Sequence, residues 1–144
     1  KAKAGSPEQI IEWKPPVHGP RRLHVAADGI VWVPGWASGD FASFNPETEE
    51  WKVYDMPKGV NSLPYALNIH PQTGDIWITG TGTDSMVRFD PKTEVFTEYL
   101  MPTRVTYTRE IEFDADGNIW TSNSNGPTRH IENHYGSLIK LALK

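Results

Sequence analysis

Cysteine is absent from the 144 residues. The chain therefore forms no disulfide, offers no thiolate to a metal and has no cysteine nucleophile, a composition that fits any compartment. Long apolar runs are missing as well. Nothing approaches the ~18 residues of a membrane-spanning helix, and residues 1–17 lack the hydrophobic stretch of a secretory signal. There is no excess of positive charge either: 14 Lys and Arg face 18 Asp and Glu, a net charge of −4 that argues against general nucleic-acid binding. The first residue is Lys1 rather than Met, as expected of a processed or partial chain. A removed leader would place a soluble protein in the periplasm or outside the cell; otherwise the cytoplasm is its compartment.

What is present is a repeat. An apolar–Trp–apolar motif follows a tight Gly-containing turn three times, at Ile30-Val31-Trp32-Val33, Ile76-Trp77-Ile78-Thr79 and Ile119-Trp120-Thr121-Ser122. The tryptophans are 45 and 43 residues apart. A period in the low forties built of short strands is the signature of a β-propeller blade. A hydrophobic content of 38% suffices for a packed core in one domain. Buried between blades, Trp32, Trp77 and Trp120 would each contribute on the order of 5 kcal/mol.

Aligning on the tryptophans orders the remaining strands. The first unit reads 21–27 (strand A), 30–33 (B), 41–44 (C) and 51–54 (D). The second reads 65–70, 76–79, 86–89 and 95–99, and the third 109–113, 119–122 and 137–143 with no strand D. The C–D turns, Asn45-Pro46-Glu47-Thr48-Glu49 and Asp90-Pro91-Lys92-Thr93-Glu94, share one Asx-Pro chemistry. Glu12-Trp13-Lys14 matches Glu50-Trp51-Lys52, so residues 8–16 are expected as an outer strand D. The fold expected is all-β: a partial β-propeller of about three four-stranded antiparallel blades in the order D-ABCD-ABCD-ABC. Its single domain, 1–144, divides into the outer strand 8–16, blades 18–57 and 58–102, and a blade 103–144 lacking its outer strand. Propellers close with roughly four to eight blades, so a second copy or the remaining blades of a longer chain are the expected partners.

The cadence from Pro64 to Trp77, then Arg88-Phe89-Asp90-Pro91-Lys92-Thr93 and Thr97-Glu98-Tyr99-Leu100-Met101-Pro102, resembles the virginiamycin B lyase (streptogramin lyase) propellers. Phe113-Asp114-Ala115-Asp116-Gly117-Asn118-Ile119-Trp120 continues it, and the resemblance covers roughly residues 8–144. It implies a propeller that is typically seven-bladed. It also implies opening of a cyclic depsipeptide ester by elimination, with a His base and Mg²⁺. The catalytic residues are not matched: where that family often carries a His at the start of strand A, this chain has Arg21-Arg22, Tyr65-Ala66 and Thr108-Arg109. His24 and His70 fall later in their strands and read as core or channel-lining residues.

Zigzagging strands sort the charges. The A–B and C–D turns carry Asp28, Glu47, Glu49, Glu50, Asp75, Asp90, Glu94, Asp114 and Asp116, with Lys92 opposing them. The B–C loops and D–A connections carry His18, Arg21, Arg22, Lys58, Arg104, Arg109, Arg129, His130 and His134, against Asp40, Asp84 and Glu132. A cationic loop face at a channel mouth favours a small polar or anionic ligand. His18, Arg21, Arg22, Trp36, Tyr65, Arg104, Tyr107, Arg109 and Arg129 are the candidate ligand-binding residues; the same arginines would also pair with acidic residues of neighbouring blades. The long third B–C segment, 123–136, supplies His130, Glu132 and His134 as candidate catalytic residues, able to act as general acid and base or to ligate a metal. The bland alternative is an ordered loop packed on a neighbouring blade. Asp114–Asn118 reads as a hairpin turn rather than a Ca²⁺ loop, and Gly80–Ser85 as a B–C loop rather than a phosphate cradle. Two functions stand open: a ligand-binding propeller with lyase or hydrolase activity, or a non-enzymatic scaffold for protein–protein interaction.

Overall fold

The computed structural model describes residues 10–124 and 136–143. Among them are eleven strands in three antiparallel sheets. The first sheet runs β1 (His24–Val25), β2 (Val31–Gly35), β3 (Asp40–Asn45), β4 (Glu50–Asp55). The second runs β5 (Pro64–Ile69), β6 (Ile76–Gly80), β7 (Ser85–Asp90), β8 (Val95–Leu100), and the third β9 (Glu112–Phe113), β10 (Ile119–Asn123), β11 (Ser137–Leu141). Each is a meander of neighbours in sequence, the blade arrangement that the Trp spacing implies. The repeated pentapeptides fold alike. Asn45 and Asp90 accept the N–H two residues on at 2.9 Å each, and Glu49 (φ 59°) and Glu94 (φ 58°) close both turns left-handed. No helix of the described residues is long and apolar enough to cross a membrane.

Two expectations about the strands need correction. Residues 10–16 form no strand, so the described chain holds eleven strands and not twelve. A strand needs a hydrogen-bonding neighbour. The blade that lacks an outer strand is the third, and its free edge, β11, lies at the far end of the three blades. Instead Trp13 packs its ring 5.3 Å from Phe44 and donates its Nε1–H to Glu49 Oε1 at 3.2 Å. The inner strands are also shorter than expected, with two residues in β1 and two in β9. In blade two the register slips between Pro64 and Leu67, and Thr79 Oγ1 accepts the freed N–H groups of Tyr65 (3.3 Å) and Ala66 (3.0 Å).

Period-2 alternation gives each blade two apolar faces. Trp32, Phe41 and Tyr54 face Ile76, Ile78, Val87, Phe89 and Phe96 of the second blade. Trp77, Met86 and Tyr99 repeat that face one blade on, against Ile111, Ile119, Phe113 and Leu141. Trp32 (7% exposed) and Trp77 (0%) are core, as the motif predicts. Trp120 is not fully buried, a correction with a geometric cause: it occupies the same register position, opposite Lys140, on a face with no further blade against it. Lys140 Nζ lies 5.1 Å over its ring, and its Nε1–H goes to Asp114 Oδ2 at 2.9 Å. That hydrogen bond, with those from Asn118 and Lys140, outweighs burial and holds the Asp114 carboxyl well below the usual carboxylate range.

A candidate ligand site at the channel mouth

The inner strand of every blade is entered through a left-handed residue: Gly19 (φ 63°), Leu63 (φ 44°) and Tyr107 (φ 47°). These positions are 44 residues apart, a stricter period than that of the tryptophans. Two residues on, Arg21, Tyr65 and Arg109 occupy equivalent places. Adjacent inner strands run parallel: Arg22 bridges Ala66 and donates its N–H to Tyr65 O at 3.2 Å. Neighbouring blades thereby bring equivalent residues side by side on the loop face.

Five of the residues singled out from sequence meet there. Trp36, in the β2–β3 loop, lies edge-on to Tyr65 (5.3 Å between ring centres, 83°) and to Tyr107 (6.2 Å, 84°). Tyr65 and Tyr107 are 6.0 Å apart at 62°. The Arg21 guanidinium sits 5.7 Å from the Trp36 ring centre and 5.4 Å from that of Tyr65. Arg109 lies 5.4 Å from the centre of Tyr107. All three rings are half-buried and both arginines exposed. Each stacking contact is worth about 0.5–1 kcal/mol at an exposed site. Among the described residues neither Arg21 nor Arg109 forms a salt bridge, whereas Arg22 pairs with Glu110 and Arg88 with Asp75. A guanidinium laid on a ring keeps its N–H edge free for a carboxylate or phosphate.

Asp84 holds this arrangement, and sequence reading placed it only as one of the loop face's few acids. Its carboxylate accepts the N–H of Val105 (2.9 Å), the N–H of Thr106 (2.7 Å) and the hydroxyl of Thr106 (2.9 Å). Asp84 (φ 48°), Val105 (φ 56°) and Tyr107 are all left-handed without being glycine. Each such residue costs about 1 kcal/mol, strain that persists only where surrounding bonds impose it. Blade one uses Gly39 (φ 72°) at the corresponding place, where a Cβ would collide with the Gly59 carbonyl. Both residues accept the first N–H after strand D through their carbonyls, Met56 on Gly39 (3.1 Å) and Met101 on Asp84 (2.8 Å). No sequence rule flags an aspartate standing where a glycine would serve.

The other candidates divide. Arg22 lies one residue further along the strand, and its ion pair with Glu110 spans from blade one to blade three past the small, fully buried Ala66. His18 is exposed on the first connection; its backbone N–H donates to Ser38 Oγ at 2.9 Å, and its imidazole makes none of the cluster's contacts. Arg104 is exposed on the third connection and is likewise not part of the ring cluster. Arg129, His130, Glu132 and His134 lie outside the described residues. Among the described residues no group of three or more His, Asp or Glu side chains is placed to hold a metal ion. His70 is structural: buried, its Nδ1 accepts the N–H groups of Gln72 (3.3 Å) and Thr73 (3.2 Å), so its Nε2–H donates to Gly117 O of the next blade at 2.9 Å.

Against solved structures, a streptogramin B lyase matches 89% of this chain with a TM-score of 0.70 and 24% identity. The fold is that of a streptogramin-lyase propeller. Virginiamycin B lyase from Staphylococcus aureus matches 87% of the chain with a TM-score of 0.68 and 21% identity. The calcium-binding protein regucalcin from Agrobacterium tumefaciens matches 88% with a TM-score of 0.58 and 16% identity. The chain spans only 42%, 41% and 41% of these three structures, so it represents part of a propeller ring. No family model and no curated protein matches the chain.

Proposed function

We propose that the chain is the ligand-handling part of a streptogramin-lyase-like propeller, binding a small polar or anionic molecule on its arginine-bearing loop face. One observation carries this reading. Arg21 and Arg109 stack on half-buried rings with no salt bridge among the described residues, while the strained 105–107 segment is held by three hydrogen bonds that Val105 and Thr106 donate to Asp84. Fixed, unneutralised guanidiniums at a channel mouth are what anion recognition requires. In the lyase or hydrolase version, His130 or His134 is the base and Arg104 and Arg109 stabilise developing negative charge. The Mg²⁺ that the family resemblance brings with it has no ligand set among the described residues, and no step is assigned to it.

The test is a titration with acetate and with inorganic phosphate, followed by NMR at the Trp36 indole N–H. Wild type should shift with a saturable curve, and a Arg21→Gln, Arg109→Gln variant should not. Equal shifts in both proteins, or none in wild type, would sink the anion site. For catalysis, the assembled propeller should open a cyclic depsipeptide ester, read by mass spectrometry, and lose that turnover in H130A and H134A. Full turnover in both variants removes the catalytic reading.

A second reading, a scaffold docking other proteins, draws on the two flanks of the three-blade unit. Leu138 is 79% exposed beside Trp120, and Trp13, Leu23, Val25, Phe44 and Trp51 line an apolar groove on the opposite flank. A second copy of the chain, or further blades of a longer one, are the partners proposed for these faces.

A further inference from the structure

We infer that the mouth site selects an anion carried on a ring, a ring carboxylate, rather than a bare inorganic anion. This rests on the anion-binding reading above and deepens it. A site for a free anion needs cationic donors and nothing else. Here the equivalent positions 21, 65 and 109 alternate guanidinium, phenol, guanidinium, and Trp36 and Tyr107 complete a half-buried aromatic wall between the two charges. The wall is built at a cost, because Tyr107 and the two residues that position it all hold left-handed backbone. Nothing in pairing an anion requires Tyr107 to be fixed; stacking a ring does. A carboxylate would take the free edge of Arg21 or Arg109 while its ring lies along Tyr65, Tyr107 and Trp36. Asp84 is then a positioning residue: it touches no ligand and sets the Tyr107 ring.

The probes are 2-naphthoate (ring and charge), 2-naphthamide (ring alone) and acetate (charge alone), titrated into the full 144-residue chain. The expected result is that naphthoate binds at least about tenfold more tightly than either partial probe, over acetate through aromatic stacking and over naphthamide through a charge-assisted hydrogen bond to the guanidinium. Arg21→Gln combined with Arg109→Gln should bring naphthoate down to the level of naphthamide. Asp84→Gly is the second variant, chosen because glycine fills that place in blade one and suits the left-handed backbone. It should keep a cooperative thermal transition, yet lose the naphthoate advantage over acetate. If acetate and phosphate bind but naphthoate binds no better than acetate, the ring inference fails and the anion site stands. If naphthamide binds as well as naphthoate, the carboxylate assignment fails. If no probe shifts Trp36, the anion-binding reading has fallen and the inference with it. An Asp84→Gly protein that retains the naphthoate advantage overturns the positioning role alone.

Discussion

Single side chains show how one repeat position is reused. Positions 26, 70 and 114 align as Ala, His and Asp, each at the end of an inner strand before its turn. Ala26 leaves the turn to the backbone, whose carbonyl takes the Gly29 N–H at 2.9 Å. His70 ties its own turn to the next blade. Asp114 gathers Asn118, Lys140 and the Trp120 indole. Because the Asp114 carboxyl titrates below its unfolded value, the stability it contributes is fully present above the ordinary carboxylate range, roughly pH 4. That contribution is lost as pH falls from there toward the folded value. Asp114→Asn should therefore be less stable than wild type at pH 7, with the gap in urea midpoint narrowing steadily below about pH 4. A gap of constant size across that range would show that the carboxylate's charge is not what stabilises the turn. Trp77, aligned with Trp120, has its Nε1 buried with no partner among the described residues, since a histidine stands where blade three has its aspartate.

At the level of strands and blades, the alternation was readable and its consequence at the edges was not. The Trp motifs and the Asx-Pro turns located β2 to β8 and β10 to within a residue or two. Those signals are local chemistry, set by side-chain period and turn geometry. Pairing is not local. Residues 10–16 carry the outer-strand pattern, yet a pattern supplies no neighbour to bond with, and Trp13 folds onto Phe44 instead. Likewise the loop face yielded Arg21, Trp36, Tyr65, Tyr107 and Arg109 as residue types, whereas Asp84 acts through backbone angles that a sequence does not print. The blade faces carry a prediction of their own. Trp77→Ala empties a sealed interface and should cost about 3–5 kcal/mol in a denaturation experiment. Trp120→Ala, on the flank that only further blades would cover, should cost roughly 1 kcal/mol in the isolated chain. Equal losses would mean that the third blade's outer face is covered by something in solution.

For the molecule as a whole, the two end faces are the same surfaces that mate inside it. The face bearing Trp120 and Leu138 is equivalent to those bearing Trp32 with Phe41 and Trp77 with Met86. The face bearing Val33, Phe44 and Trp51 is equivalent to that bearing Ile78, Phe89 and Phe96. Each end therefore complements the other in a head-to-tail sense, a contact that closes into a ring only at the right angle. Native mass spectrometry should find the folded chain bound to further blades, in copies of itself or in other polypeptides. A stable, cooperatively folded monomer of 16.2 kDa would defeat this, showing that three blades suffice with both ends bare.

The left-handed entry residues at 19, 63 and 107 keep step to the residue, while the tryptophans drift from 45 to 43. The drift comes from the A–B turns, on the face away from the arginines: the second is one residue longer than the others. The extra residue runs on through blade two, where Asp84 and Met101 stand 45 residues after Gly39 and Met56, and is taken back in the connection from 101 to 107, one residue shorter than that from 56 to 63. The chain behaves as a ratchet reset at the start of each inner strand, which gives it two sides with different tolerance to redesign. Tags or binding loops grafted between 27 and 30, or between 71 and 76, should leave the spacing of Arg21, Tyr65 and Arg109 intact, whereas one residue added between 101 and 107 would put the third blade out of phase with the mouth.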